Sequence, residues 1–152
     1  MSSQRPLTPA FDLQAGITAF VREFGLLQPD QTPCGRPIAT SEAHALAELD
    51  RDGPLPQHEL GSRLRLEKST VSRLVDQLEG RGWLTGSRGG DDARVVWLEL
   101  TDAGRSAAIE LAQAREARFA EILANIPPEQ QALVTGGLSI LVGAIRERAP
   151  RG

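Results

Sequence analysis

The sequence predicts a mainly α-helical chain with one small β-hairpin, an α+β fold, and three observations carry that expectation. Apolar residues recur at helical spacing in six separate stretches. One stretch, residues 94–101, alternates apolar and polar residues instead, and a run rich in Gly and Asp precedes it. At 152 residues the chain has the length of a single domain with a sizeable core, expected to span residues 1–152.

The elements follow in order. Thr8-Pro9 has the character of an N-cap followed by proline in the first helical turn. Leu13, Ile17, Phe20, Val21 and Phe24 then repeat at helical spacing, so residues 9–27 are expected to form an amphipathic helix. Pro29, Pro33, Gly35 and Pro37 make residues 28–38 a loop. Thr40-Ser41-Glu42 opens a second helix to about residue 49, and Asp52-Gly53-Pro54 stops the chain there. A short helix over 57–64, a brief turn at Arg65-Leu66 and a longer helix over 68–81 come next, the last with Val71, Leu74, Val75 and Leu78 on one face. Two helices joined by so tight a turn predict a helix-turn-helix.

After Gly82, Trp83-Leu84-Thr85 has strand character. A tip of Gly86, Gly89, Gly90, Asp91 and Asp92 leads into 94–101, where Val96, Leu98 and Leu100 share one face. The expected result is a two-stranded hairpin, a wing that must pack on the helices to be stable. Residues 40–101 therefore read as a winged helix-turn-helix lobe. Helices at 9–27 and over 102–148, the latter broken at Ile126-Pro127-Pro128, carry apolar stripes that a lobe of this size does not cover. They are expected to form a dimerisation region.

A helix that lies in the DNA major groove needs an apolar inner side and an outer side of short hydrogen-bonding groups and cations. With its apolar row turned inward, the helix over 68–81 presents Lys68, Ser69, Thr70, Ser72, Arg73, Asp76 and Gln77. Arg pairs with guanine, Gln with adenine, and Ser or Thr with either or with phosphate; Asp76 fits if it pairs with Arg73 or accepts from a cytosine. A hairpin carrying Arg88 and Arg94 reaches the neighbouring minor groove, and Asp92 is placed to hold Arg94. An ordinary solvated helix face has the same composition, so it is the wing that favours DNA.

Ser69-Thr70-Val71-Ser72-Arg73-Leu74-Val75-Asp76-Gln77-Leu78-Glu79-Gly80-Arg81-Gly82, followed by Asp92-x-Arg94 and Leu100-Thr101-x-x-Gly104-Arg105, resembles the MarR family of multiple antibiotic resistance regulators. The resemblance is dense over residues 55–105. It implies a homodimer with terminal helices at the interface and two winged lobes on a pseudo-palindromic operator, acting as a ligand-responsive repressor. Carried over by position, Ser69, Thr70, Ser72, Arg73 and Gln77 match the major-groove face, and Asp92 and Arg94 the wing motif. Three positions depart from the pattern. Glu67 stands where a Ser or Thr-like cap is usual, and Gly61 where Ala is common. Arg65 occupies a turn position that often holds a small residue, so either the backbone there avoids positive φ or the turn costs on the order of 1 kcal/mol.

The resemblance also implies a small amphipathic or phenolic effector, for which Phe20, Phe24, His44 and Trp97, with Trp83, are the candidate contacts; core or interface packing is the ordinary alternative for each. Cys34, beside Arg36 in the Pro/Gly-rich loop, is a candidate redox residue, with a plain loop cysteine as the alternative. One cysteine and two histidines, His44 and His58, form no ligand-spaced cluster, so neither a metal site nor a cofactor is expected. No phosphate loop, nucleophile elbow or paired-histidine motif is present, which argues against an enzyme. No apolar run suggests a membrane span, and residues 1–9 lack a signal-peptide core, so a soluble cytoplasmic protein is expected. The formal net charge of −3 favours a different partner, a winged-helix module that binds protein. The charge is unevenly spread, however: residues 61–105 carry eight basic against seven acidic side chains.

Overall fold

The computed structural model describes residues 8–148. Residues 1–7 and 149–152, which the expected single domain includes and which hold most of the segment weighed as a signal peptide, lie outside the described residues.

The chain order is α1 (Pro9–Phe24), α2 (Thr40–Asp52), β1 (Leu55–Pro56), α3 (Gln57–Leu64), α4 (Lys68–Gly80), β2 (Leu84–Arg88), β3 (Val96–Leu100), α5 (Asp102–Ala124) and α6 (Pro128–Arg148). The chain divides within α5 into two compact units, residues 1–115 and 116–152.

In the first unit, the Thr8 hydroxyl caps α1 by accepting from the Phe11 amide at 3.2 Å. The helix ends at Phe24, earlier than the apolar pattern through Leu27 suggests. Gly25 takes the left-handed conformation (φ 88°), and the Gly25 and Leu26 amides turn back to the Arg22 and Val21 carbonyls. Helix α2 runs three residues past its expected end, to Asp52.

Four leucines with almost no exposed surface tie the lobe together, one from each of four elements: Leu46 of α2, Leu60 of α3, Leu78 of α4 and Leu98 of β3. Each such burial contributes roughly 1.5–3 kcal/mol. Their distribution locks the helix-turn-helix to the wing. Where α3 meets α4, a Cβ added to Gly61 would stand 3.0 Å from Val71 Cγ2. The glycine that weakens α3 in isolation therefore permits the close approach of α4.

The sheet has three strands, ordered β1-β3-β2, in place of the expected two-stranded hairpin. The addition is β1, whose Leu55 pairs with Leu98 and Pro56 with Trp97. On the other side Leu84 faces Leu100 and Arg88 faces Val96 in antiparallel register, so Gly86 belongs to a strand and not to the tip. Leu98 and Leu100 turn inward, while Trp97 points the other way and keeps 40% of its surface exposed. Pairing on both edges of β3 stabilises a hairpin that would be marginal alone.

The second unit comprises the last turns of α5 and all of α6. The Gln131 side chain bridges the connection by donating to the Leu123 and Ile126 carbonyls, each at 3.2 Å. Leu133, Val134, Leu138, Ile140, Val142 and Ile145 of α6 are exposed. Helix α1 likewise buries no residue, and its Phe11, Leu13, Ile17 and Phe20 are exposed. Among the described residues, no helix is long and apolar enough to cross a membrane.

Candidate nucleic-acid interface

Helix α4 buries Val71, Leu74, Val75 and Leu78, the apolar row of the sequence. Lys68, Ser69, Arg73, Asp76 and Gln77 are exposed, and Thr70 and Ser72 half-buried. The Ser72 hydroxyl accepts from Gln57 Nε2 of α3 at 3.5 Å, a long contact that leaves it free to exchange partners. Asp76 does not neutralise Arg73: among the described residues, Arg73 has no ion-pair partner. Glu67 stands at the N-cap of α4 without a side-chain bond to the helix, so the first amides of α4 lack the usual acceptor.

On the wing, the Asp92 carboxylate accepts from the Arg94 backbone amide at 3.0 Å and from Arg94 Nε at 3.2 Å. The amide first and the guanidinium second hold the Asp92 carboxyl below the usual carboxylate range. Arg94 is braced at its root, while 92% of its side chain stays open to solvent. That is the form of a projecting cation. Arg88 is exposed at the end of β2 and has no ion-pair partner among the described residues.

Other arginines of the lobe are engaged internally. Arg63 joins α3 to α2 through Glu48 at 3.1 Å and through Asp52, and reaches Glu59 within its own helix at 3.0 Å. These three carboxylates raise its pKa, Asp52 most. Arg51 adds contacts to Glu48 and Asp52. Arg81 donates through Nε to the buried Glu42 at 2.9 Å and lies 5.1 Å from the centre of the Trp83 ring. Glu42 also accepts from the Ala39 amide at 2.9 Å, capping α2. It thus anchors the end of α4 to the start of α2, and with Gln77 and Arg81 it borders a cavity of about 310 Å³.

The remaining candidates are dispersed. Phe20 and Phe24 stack within α1, their ring centres 5.0 Å apart. His44 is exposed on α2, and Trp97 lies across the sheet from Pro56 and Ser87. Cys34 is half-buried, its sulfur 2.9 Å from the hydroxyl of buried Thr32, which in turn accepts from the Arg36 amide. Among the described residues, no group of three potential ligands for a metal ion comes together.

Two features were not assigned from sequence. One is the Glu42–Arg81 link, which joins residues 39 positions apart and leaves no local signature. The other is a cleft between the α3–α4 turn and the wing, lined among others by His58, Ser62, Arg65, Lys68 and Arg94. Arg65 at its rim has φ 55° and ψ 43°, the one non-glycine residue with positive φ among those described. Its atypical place in the turn was the available signal.

A polar helix face beside a hairpin that projects Arg88 and Arg94 is the arrangement of a winged helix-turn-helix lobe. Residues 38–96 match the model of the MarR family. The chain is 28% identical to the transcriptional regulator AdcR of Streptococcus pneumoniae over 88% of its own length and 98% of that protein. It is 31% identical to the uncharacterised HTH-type regulator YdgJ of Bacillus subtilis over 64% of its length, an alignment that spans 59% of YdgJ. Among solved structures, a probable transcriptional regulator from Pseudomonas aeruginosa superposes with a TM-score of 0.68 at 25% identity, covering 88% of this chain and 96% of that one. Two more share the fold at 21% identity and a TM-score of 0.69: PcaV of Streptomyces coelicolor with its natural ligand (95% and 99% covered) and Streptococcus pneumoniae FabT with DNA (92% and 96%). The match to the MarR family thus lies over residues 38–96, and the relatives named are transcriptional regulators.

Proposed function

We propose that the protein is a cytoplasmic homodimer that binds a pseudo-palindromic operator in double-stranded DNA and represses transcription by occlusion until a small amphipathic ligand releases it. The observation that carries this reading is the distribution of unpaired cations. Lys68, Arg73 and Arg88 have no ion-pair partner among the described residues, and Arg94 is held only at its root by Asp92, whereas Arg51, Arg63 and Arg81 of the same lobe are neutralised by carboxylates. Cations left without carboxylate partners on the outer side of α4 and on the wing suit a polyanion more than a protein partner. Helix α4 is assigned to the major groove through Ser69, Thr70, Ser72, Arg73 and Gln77, and Arg94 with Arg88 to the minor groove beside it.

The exposed apolar side chains that α1 and α6 each carry support the dimer, since an unpartnered apolar helix face gains by being covered. Effector contacts are assigned to Phe20, Phe24, His44 and Trp97, with Cys34 as the redox residue. FabT in complex with DNA and PcaV with its ligand lend the fold precedent for both kinds of partner.

The test is a titration against the DNA flanking the protein's own gene at two salt concentrations, with random duplex as competitor, alongside light scattering for mass. Salt-dependent, competitor-resistant binding by a particle of twice the chain mass is expected. Salt-insensitive binding no better than to random duplex would favour the protein-binding module.

A further inference from the structure

We infer that Gln57 of α3 is a positioning residue that fixes the hydrogen-bond polarity of Ser72 on α4, so that the Ser72 hydroxyl meets DNA as a donor and selects guanine or thymine over cytosine at one base; the inference rests on the DNA-binding reading above.

Helix α4 carries three hydroxyls, on Ser69, Thr70 and Ser72. Those of Ser69 and Thr70 make no hydrogen bond among the described residues, so each can turn to donate or to accept. Ser72 differs. Its Oγ accepts from Gln57 Nε2 at 3.5 Å, joining residues 15 positions apart across the helix-turn-helix. A hydroxyl within a helix commonly gives its own proton to a carbonyl one turn earlier. Thr135 and Ser139 of α6 do so, toward the Gln131 and Thr135 carbonyls at 3.3 and 3.1 Å. Ser72 makes no such bond among the described residues, so its single proton is left for a group outside the chain.

Ser72 shares a face of α4 with Ser69, Arg73 and Asp76, at spacings of three and four residues, clear of the buried apolar row. Gln57 and Ser72 are both half-buried. In the free protein water competes for a bond this long. Once a duplex covers the face and displaces that water, the Gln57 amide needs an acceptor, because a donor buried without one is costly, and Ser72 Oγ is the acceptor beside it. Base edges turn this polarity into sequence. In the major groove guanine offers N7 and O6 as acceptors and thymine offers O4, whereas cytosine offers only its amino donor. Against cytosine the Ser72 proton has no acceptor, a loss of one hydrogen bond and about three- to ten-fold in affinity.

The test is selection of bound duplexes from a random-sequence library by the full chain and its variants. The base read by Ser72 is the one at which Ser72→Ala loses preference. There the parent should favour guanine or thymine over cytosine by about three- to ten-fold. Gln57→Lys, whose ammonium can only donate, keeps that preference. Gln57→Glu, whose carboxylate can only accept, takes the Ser72 proton and turns the preference toward the amino donors of cytosine or adenine. The added charges alter affinity for every duplex alike, and a loss of packing would not invert a preference at one base. In the Ser72→Ala background, Gln57→Glu should change nothing at that base.

A Gln57→Glu protein that melts as the parent does and keeps the parent's preference overturns the inference. A shift that persists in the Ser72→Ala background means that Gln57 touches the base itself, which overturns the positioning role and leaves the DNA-binding reading standing. The same holds if Ser72→Ala loses preference at no base while Arg73→Ala does. Should Gln57→Glu fail to fold, Gln57→Ala decides: the preference flattens if Gln57 sets the polarity, and a retained preference refutes it. If the parent enriches no sequence and binds duplex without salt dependence, both readings fall.

Discussion

Replacing Gly104 by alanine sets helix propensity against packing, and the structure assigns the outcome to packing. Alanine inside a helix is favoured over glycine by about 1 kcal/mol. Gly104 lies buried in the first turn of α5, where an added Cβ would stand 2.0 Å from the Trp83 carbonyl oxygen and 2.9 Å from its carbon. Ordinary contact begins at 3.4 Å, and the obstacle is backbone that cannot rotate away. The start of α5 must retreat by about 1 Å or more, with an overpacking cost of about 1–3 kcal/mol. The same movement pulls on Thr101, whose hydroxyl donates to the Gly82 carbonyl at 2.6 Å and accepts from the Gly104 amide at 3.0 Å, and whose own amide donates to Trp83 at 3.1 Å. Losing one or two of these adds about 1–2 kcal/mol. After the propensity gain, a net destabilisation of about 1–4 kcal/mol remains, or about 2–16 °C in melting temperature for a chain of this length. Urea unfolding of the parent, Gly104→Ala and Gly80→Ala measures it. Nothing lies within 4 Å of a Cβ on Gly80, at the end of α4, so that control should be neutral or stabilised by up to about 1 kcal/mol. A Gly104→Ala protein as stable as the parent, with an unchanged denaturant slope, would refute the reasoning.

Other perturbations test the interface and its supports. Arg94→Ala should weaken DNA binding by about 1–3 kcal/mol, and Arg73→Ala should also relax the preference at particular base pairs; parent-like titrations for both would displace the interface from this face. Glu42→Ala removes the cap of α2 and the Arg81 contact. It should cost about 1–3 kcal/mol in urea unfolding, kept modest because Arg81 is 38% exposed, and Glu42→Gln should cost less. The Asp92 carboxyl, lowered by its Arg94 contacts, contributes its share of wing order in full above the ordinary carboxylate pKa near 4, and loses it as pH falls through a lower value. Wing signals in NMR should thus be unchanged from about pH 5 to 8, and Arg94→Ala should raise the Asp92 midpoint only partway, because the amide remains.

Local pattern made most of the helices legible. The period of Val71, Leu74, Val75 and Leu78 fixed which side of α4 faces the core, and so which residues remain for a ligand. Strand β1 was hidden because two residues, one of them proline, show no alternation; only the register with Leu98 and Trp97 makes them a strand. The end of α1 escaped a pattern in which Leu26 and Leu27 extend the apolar count, since the left-handed Gly25 decides it. Within the interface, sequence supplied the cations but not their state of neutralisation. That Arg63 and Arg81 are tied to α2, while Arg73 and Arg88 are not, depends on contacts across 11 to 39 residues. The same holds for Arg65: its unusual position in the turn was readable, its φ of 55° was not.

The pairing of Leu55 with Leu98 closes residues 55–98 into a hydrogen-bonded ring that contains α3, α4 and the wing. A fluctuation that lifts the wing must break β1 from β3 at the very residues that lead into α3, so the hairpin and helices α3 and α4 share one opening event. Their amide hydrogens should exchange with solvent at a common free energy. In the proposed complex with DNA, contacts in the two grooves would then be lost together, as a single step of dissociation, instead of peeling away in turn.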